Sequence, residues 1–129
     1  MKPKILIVLA DYYREISVEM LKSTINHISK KSKFNLIKVP GVFEIPVVIS
    51  KNIKKYDGFI ALGCVIKGQT PHFDYISQAV TNAIMKLSID YKKPIGNGII
   101  TALNKDQAST RSAKKGKEAT AAVFSVLSK

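Results

Sequence analysis

The chain has 129 residues, 46% of them apolar, and its 21 basic residues against 9 acidic ones give a net charge of +12. That is one domain's worth of chain, too apolar for a disordered segment, and no apolar run approaches the roughly 20 residues of a membrane helix. The single cysteine, Cys64, excludes an internal disulfide and agrees with a reducing, cytoplasmic setting.

Lys4 to Leu9 (KILIVL) is apolar after its lysine, as expected of a strand buried on both faces. It is too short for the apolar region of a signal peptide, and no cleavage site follows. Val18, Leu21, Ile25 and Ile28 then recur at helical spacing and predict a helix from about Arg14 to Ser29. Phe34 to Val39 is a second strand, stopped by Pro40-Gly41. Glu44 to Ile53 reads as a short helix with Pro46 in its first turn, where a missing N–H costs nothing. Asp57-Gly58 opens a third strand, Phe59 to Ile66. Ile76, Ala79, Val80, Ala83, Ile84 and Leu87 form one apolar stripe on a long helix from Pro71 to about Tyr91. Ile95 to Thr101 is a fourth strand. Asp106 to about Ser112 and Glu118 to Leu127 predict two closing helices with a lysine-rich break between them.

Strands alternating with helices imply a single α/β domain over residues 1–129, a parallel sheet with helices on both faces. In such sheets ligands sit beyond the carboxyl ends of the strands. After strand one come Asp11, Tyr12 and Tyr13; after strand two, Gly41 to Glu44; after strand three, Lys67 to His72; after strand four, the segment leading to Arg111.

Each of these residues has a plain alternative. Gly68-Gln69-Thr70 precedes a helix whose first N–H groups are free, a natural anion site, yet Thr70 as an ordinary cap explains it equally well. His72, one turn into that helix, is placed to exchange a proton near neutral pH; a half-exposed helix histidine is the alternative. Cys64 continues a strand flanked by Leu62, Val65 and Ile66, so it reads as a small core residue rather than a nucleophile. Tyr12 and Phe43 are positioned to stack on a planar ligand or to close the edge of the core. Glu44 opens a helix, which favours a carboxylate whatever its role. Arg111, with Lys115 four positions on, suits a phosphate. No group of residues has metal-ligand spacing, and no dinucleotide or phosphate-loop motif is present. The lysines look dispersed, with no nucleic-acid recognition motif beside them, so nucleic acid is not the expected partner.

In this order the motifs "PGVFEIP", "GCVIKGQTPHFDYI", "PIGNGIIT" and "R…KKGKEA" strongly resemble the 6,7-dimethyl-8-ribityllumazine synthases, from about Ile5 to the end of the chain. The resemblance implies a three-layer, flavodoxin-like fold, which agrees with the one read from the pattern. It implies condensation of 5-amino-6-(D-ribitylamino)uracil with 3,4-dihydroxy-2-butanone 4-phosphate, releasing phosphate and water, with no cofactor. By motif position, Tyr12 would stack on the pyrimidine, and Val42, Phe43 and Glu44 would line the ribityl pocket. Val65, Ile66, Lys67, Gly68, Gln69 and Thr70 would hold the uracil edge and the phosphorylated ketone. His72 would transfer protons, Asn97 would face the pyrimidine of a neighbouring subunit, and Arg111 with Lys115 would bind phosphate. Lys67 stands where many relatives have arginine, and the stretch from Arg111 to Gly116 is short, leaving Lys114 or Lys115 for the second basic position. The family's sites lie between subunits of a five-fold ring, which implies a pentamer at least. The short N-terminus argues against a sixty-subunit shell.

Two other readings compete: a non-catalytic flavodoxin-like module and a basic nucleic-acid-binding protein. A receiver domain needs an acidic residue at the end of its third strand, where this chain has Gly63-Cys64.

Overall fold

The computed structural model describes residues 2–129. Its elements are β1 (Lys4–Ala10), α1 (Arg14–His27), β2 (Lys33–Val39), a 3-10 turn (Val42–Glu44), α2 (Ile45–Asn52), β3 (Gly58–Ile66), α3 (His72–Tyr91), β4 (Ile95–Ala102) and α4 (Lys105–Leu127). The four strands form one parallel sheet in the order β2-β1-β3-β4. The chain winds outward from β1 to β2, then crosses back over β1 to β3 and β4. The topological switch therefore falls between β1 and β3, where ligand crevices open in such sheets.

Period-two alternation divides the core. Ile5, Ile7 and Leu9 of β1 join Ile60, Leu62 and Cys64 of β3 beneath α1 and α4, among Ile16, Met20, Ala108 and Val123. Leu6, Val8 and Ala10 face the other way with Phe59 and Ala61, under Ile45 and Ile49 of α2 and Val80 and Ile84 of α3. Both faces of β1 are covered, which is why its sequence is a continuous apolar run rather than an alternating one. The three-layer α/β arrangement is the one expected from the sequence. Among the described residues no helix is long and apolar enough to cross a membrane.

Two expectations are corrected. The C-terminal region is one 23-residue helix, not two. Gly116, at the expected break, is buried where α4 crosses α1: a Cβ there would lie 2.7 Å from Met20 O and 2.8 Å from Thr24 Oγ1. Glycine serves close approach here, not helix termination, and Lys114 and Lys117 stay on the exposed face. The buried face of α1 also differs. It holds Ile16, Ser17, Met20, Ser23 and Thr24, while Val18 and Ile25 are exposed. Because α4 approaches so closely, small residues occupy the seam, and the bulkier aliphatic stripe is turned partly to the outside.

Smaller differences concern ends. The helix expected from Glu44 begins as the 3-10 turn and becomes α-helical at Ile45, and β4 runs one residue further, to Ala102. Strand β2 lies at the sheet edge, so Phe34 and Leu36 remain partly exposed.

Candidate active site

The carboxyl edge of the sheet carries most of the residues singled out. Asp11 N donates to Val39 O (3.2 Å), tying the ends of β1 and β2 together. The turn after β1 is fixed by the Ser17 hydroxyl, which lies 3.0 Å from both Ala10 O and Tyr13 O. It presents Tyr12 to solvent at 76% exposure, edge-on to Tyr13 with ring centroids 4.9 Å apart.

Beyond β2, Pro40-Gly41 turns the chain into the 3-10 turn. Val42 is buried against the sheet, Phe43 points outward at 60% exposure, and Glu44 is half-buried. A Cβ on Gly41 would lie 3.3 Å from Glu44 Oε1, so glycine leaves room for that carboxylate to fold back. Phe43 lines an apolar hollow of about 260 Å³ with Pro46, Val47 and Val80, between α2 and α3.

Strand β3 ends in half-buried Val65 and Ile66. Lys67 N donates to Ala102 O (2.9 Å), extending the pairing with β4 by one step before the chain leaves the sheet. Lys67 to His72 are then all exposed, and the space in front of Gly68 is open. No side chain caps α3. Thr70 Oγ1 accepts from His72 N only at a long 3.4 Å, so the expected threonine cap is weak. The helix mouth is left with amide donors directed outward, and the His72 ring has no partner among the described residues.

Arg111 sits in the second turn of α4. Its Nη1 donates to Thr101 O (3.3 Å), so the guanidinium lies over the end of β4. Arg111, Lys114, Lys115 and Glu118 line a hollow of about 260 Å³. None of the three cations is within ion-pair distance of a carboxylate. With three cations against the single carboxylate of Glu118 the hollow carries a net positive charge, and both Lys114 and Lys115 contribute to it.

Two residues behave differently. Asn97 is exposed midway along β4, opposite Ala61, four residues before Thr101 and thus about 13 Å from it along the strand. Its Oδ1 accepts from Ile99 N (3.0 Å), satisfying an outward amide of the edge strand. Within one chain Asn97 stands apart from the rest. Cys64 is buried, and burial pushes its thiol up to about 11, far from the depressed value that a nucleophile requires.

Sequence reasoning passed over Lys105, Asp106 and Ser109. They share with Tyr12, Tyr13 and Arg14 a hollow of about 410 Å³ on the α1/α4 side. Lys105 Nζ stands 5.9 Å from the centre of the Tyr13 ring. These residues follow β4 at the same carboxyl edge as the others, and that position was the available signal.

Tyr12, Phe43 and Arg111 with Lys115 thus line three separate open hollows, while Glu44 and the Lys67 to His72 loop lie outside them and no single pocket encloses the candidates. Together the fold and this edge define a doubly wound α/β protein with a topological switch point, an uncapped helix mouth bearing a histidine, and a concentrated cationic hollow suited to a phosphate. The sequence profile of the 6,7-dimethyl-8-ribityllumazine synthase family matches residues 2–129, and the chain belongs to that family. A protein of that name from Bartonella tribocorum is 40% identical over 120 residues, covering 90% of this chain and 80% of the relative. Its namesake from Bartonella bacilliformis is 41% identical over 121 residues, with 90% and 79% covered. The one from Agrobacterium fabrum is 37% identical over 125 residues, with 91% and 84% covered.

Proposed function

We propose that this chain catalyses the condensation of 5-amino-6-(D-ribitylamino)uracil with 3,4-dihydroxy-2-butanone 4-phosphate, giving 6,7-dimethyl-8-ribityllumazine, phosphate and water. Family membership over the whole described chain carries this reading. The Arg111–Lys114–Lys115 hollow supports it, because phosphate is both a handle on one substrate and the leaving group.

Chemically, the uracil's 5-amino group attacks the ketone carbonyl and water leaves to form an imine. Phosphate is eliminated, leaving a new carbonyl, and the ribityl-bearing nitrogen attacks that carbonyl and closes the ring with loss of a second water. Arg111 and Lys115 hold the phosphate and stabilise the charge that grows on it as its C–O bond breaks. His72 removes a proton from the attacking amine and returns one to the departing oxygen. Glu44 accepts hydrogen bonds from the ribityl hydroxyls beside Val42 and Phe43, and Tyr12 stacks on the pyrimidine. Val65, Ile66 and Lys67 to Thr70 border the two substrates. Holding both reactants in register supplies much of the acceleration.

The complete site is formed between two subunits of a cytoplasmic homopentamer or larger ring, one giving Tyr12, Glu44 and His72 and the next giving Asn97 and Arg111. Two observations support this reading. Asn97 is remote from the other candidates within one chain. Helix α3 also leaves Tyr75, Met85 and Ile89 at 68%, 59% and 65% exposure, apolar side chains that a neighbouring subunit would cover. The decisive experiment mixes purified protein with both substrates and follows lumazine fluorescence together with phosphate release. A folded protein giving neither signal above the uncatalysed background rules the proposal out.

A further inference from the structure

Lysines that look scattered in the sequence are gathered by the fold. In an all-parallel sheet every helix-to-strand connection returns to the edge where the strands begin, opposite the carboxyl edge. Lys30-Lys31 lies between α1 and β2, Lys54-Lys55 between α2 and β3, and Lys92-Lys93 between α3 and β4. Strand β1 itself starts at Lys4, which pairs across the ladder with Lys33. Read across the sheet in the order β2-β1-β3-β4, the first two strands begin at lysine and the other two are each preceded, within three residues, by a lysine pair. The result is a basic row about 15 Å long, since neighbouring strands are about 4.8 Å apart.

The row is not neutralised. Asp11, Glu15, Glu44, Asp74 and Asp106 all lie at the opposite edge, in strand ends or first helical turns. Near the basic edge, Asp57 accepts from Lys4 N (2.7 Å) and Asp90 pairs with Lys86 (2.9 Å), the one ion pair among the described residues. Lys93 Nζ donates to Ile53 O (2.6 Å). Lys30, Lys31, Lys54, Lys55 and Lys92 are exposed, and their ammonium groups have no such partner among the described residues. The ordinary explanation is that cations complement helix C-termini. Three such termini supply only about −1.5 charges in all, far short of three lysine pairs.

We propose that this basic edge binds single-stranded nucleic acid through its phosphates. A linear row of flexible cations spaced by the strand separation suits a linear polyanion. Tyr91, 46% exposed at the end of α3 beside Lys92, adds a ring on which a base can stack. An anionic membrane would also attract lysines, but every helix meets this edge end-on. No amphipathic helix lies flat there to insert an apolar face. The proposal concerns the edge opposite the candidate active site and stands independently of the reaction assigned there.

The test is fluorescence anisotropy of a labelled oligouridylate of about 20 nucleotides, titrated with the full chain at several salt concentrations. Binding at about 50 mM salt is expected, with a log–log salt slope near 3 in magnitude for four phosphate contacts. Replacing Lys30, Lys31, Lys54 and Lys55 with Gln should weaken binding at least tenfold and flatten that slope, with lumazine formation unchanged. A variant carrying Lys22→Gln, Lys38→Gln, Lys105→Gln and Lys117→Gln loses the same charge elsewhere and should lose less than about threefold. Should the first variant fold poorly, Lys54→Gln with Lys55→Gln alone should still weaken binding about threefold or more. No binding at about 50 mM salt, equal losses in the two quadruple variants, or capture by phosphatidylserine vesicles without RNA binding would each overturn the proposal.

Discussion

Val42 and Gly63 meet where the 3-10 turn closes on the sheet: a Cβ on Gly63 would lie 2.5 Å from Val42 Cγ1 and 3.2 Å from Ala10 Cβ. The missing side chain on β3 is what lets Val42 sit down, and Val42 in turn sets where Phe43 and Glu44 project. The geometry of the proposed ribityl pocket is thus decided one layer below it.

Gly63→Ala is therefore expected to lift the turn at a cost of about 1–3 kcal/mol in stability, the usual range for overpacking. The KM for the ribitylaminouracil should rise more than that for the ketone. Adding Val42→Ala to Gly63→Ala should restore space and recover part of the stability. A lowered melting temperature with both KM values unchanged would show that the contact is structural only.

His72→Ala is expected to slow turnover about ten- to a hundredfold, below the usual range for an acid–base residue, because the amine and ketone condense readily once aligned. The loss should fall on kcat rather than on either KM. Full activity in a folded variant would remove His72 from the mechanism.

Arg111→Ala should raise the KM for the phosphorylated ketone by about ten- to a hundredfold, as expected for a charge-assisted contact of about 1.5–3 kcal/mol. The ribitylaminouracil carries no phosphate, so its KM should change little. Equal changes for both substrates would assign Arg111 to structure, through its bond to Thr101 O.

Cys64 offers a pH test. Burial raises its thiol to about 11, so the folded protein keeps the proton while an unfolded chain releases it near 9. The stability contribution of the neutral thiol is complete below pH 9 and is lost as pH rises toward 11. Iodoacetamide at pH 8 should leave the native protein unmodified and label it in denaturant. Rapid labelling of the native state would contradict the buried placement.

Shared sites can be tested by co-expressing a Glu44→Ala, His72→Ala chain with an Arg111→Ala chain. Random assembly in a closed ring should restore about a quarter of the sites, since each needs one intact half from each neighbour. Activity equal to the sum of the separate mutants, in rings containing both chains, would place a complete site within each subunit.

The strands and the order of elements were readable because their signals are local. An apolar run bounded by Pro, Gly or Asp marks each strand, and the βα order then dictates the carboxyl edge on which Tyr12, Glu44, His72 and Arg111 would lie. Contacts between distant elements were not readable. The lysine-rich stretch around Gly116 looked like a helix break, and only the approach of α1 gives that glycine a packing role within one helix. For the same reason the stripe of Val18 and Ile25 looked like the buried face of α1, although small residues fill that seam. Asn97 was singled out by its motif alone, and a motif carries no register. Its pairing with Ala61 sets it well back from the end of its strand.

The crossing at Gly116 has a mechanical consequence. Backbone meets backbone there, with a would-be Cβ only 2.7 Å from Met20 O, and the Ser23 hydroxyl donates to Ala113 O (2.5 Å) as a second pin. Side chains can change rotamer and absorb a push; two pinned backbones cannot. Helices α1 and α4 are thus one stiff lever, with Tyr12 just before the start of the first and Arg111 on the second. In a ring built as proposed, those residues serve two adjacent sites. The crossing would therefore hold the turn bearing Tyr12 at one site at a fixed distance from the helix bearing Arg111 at the next.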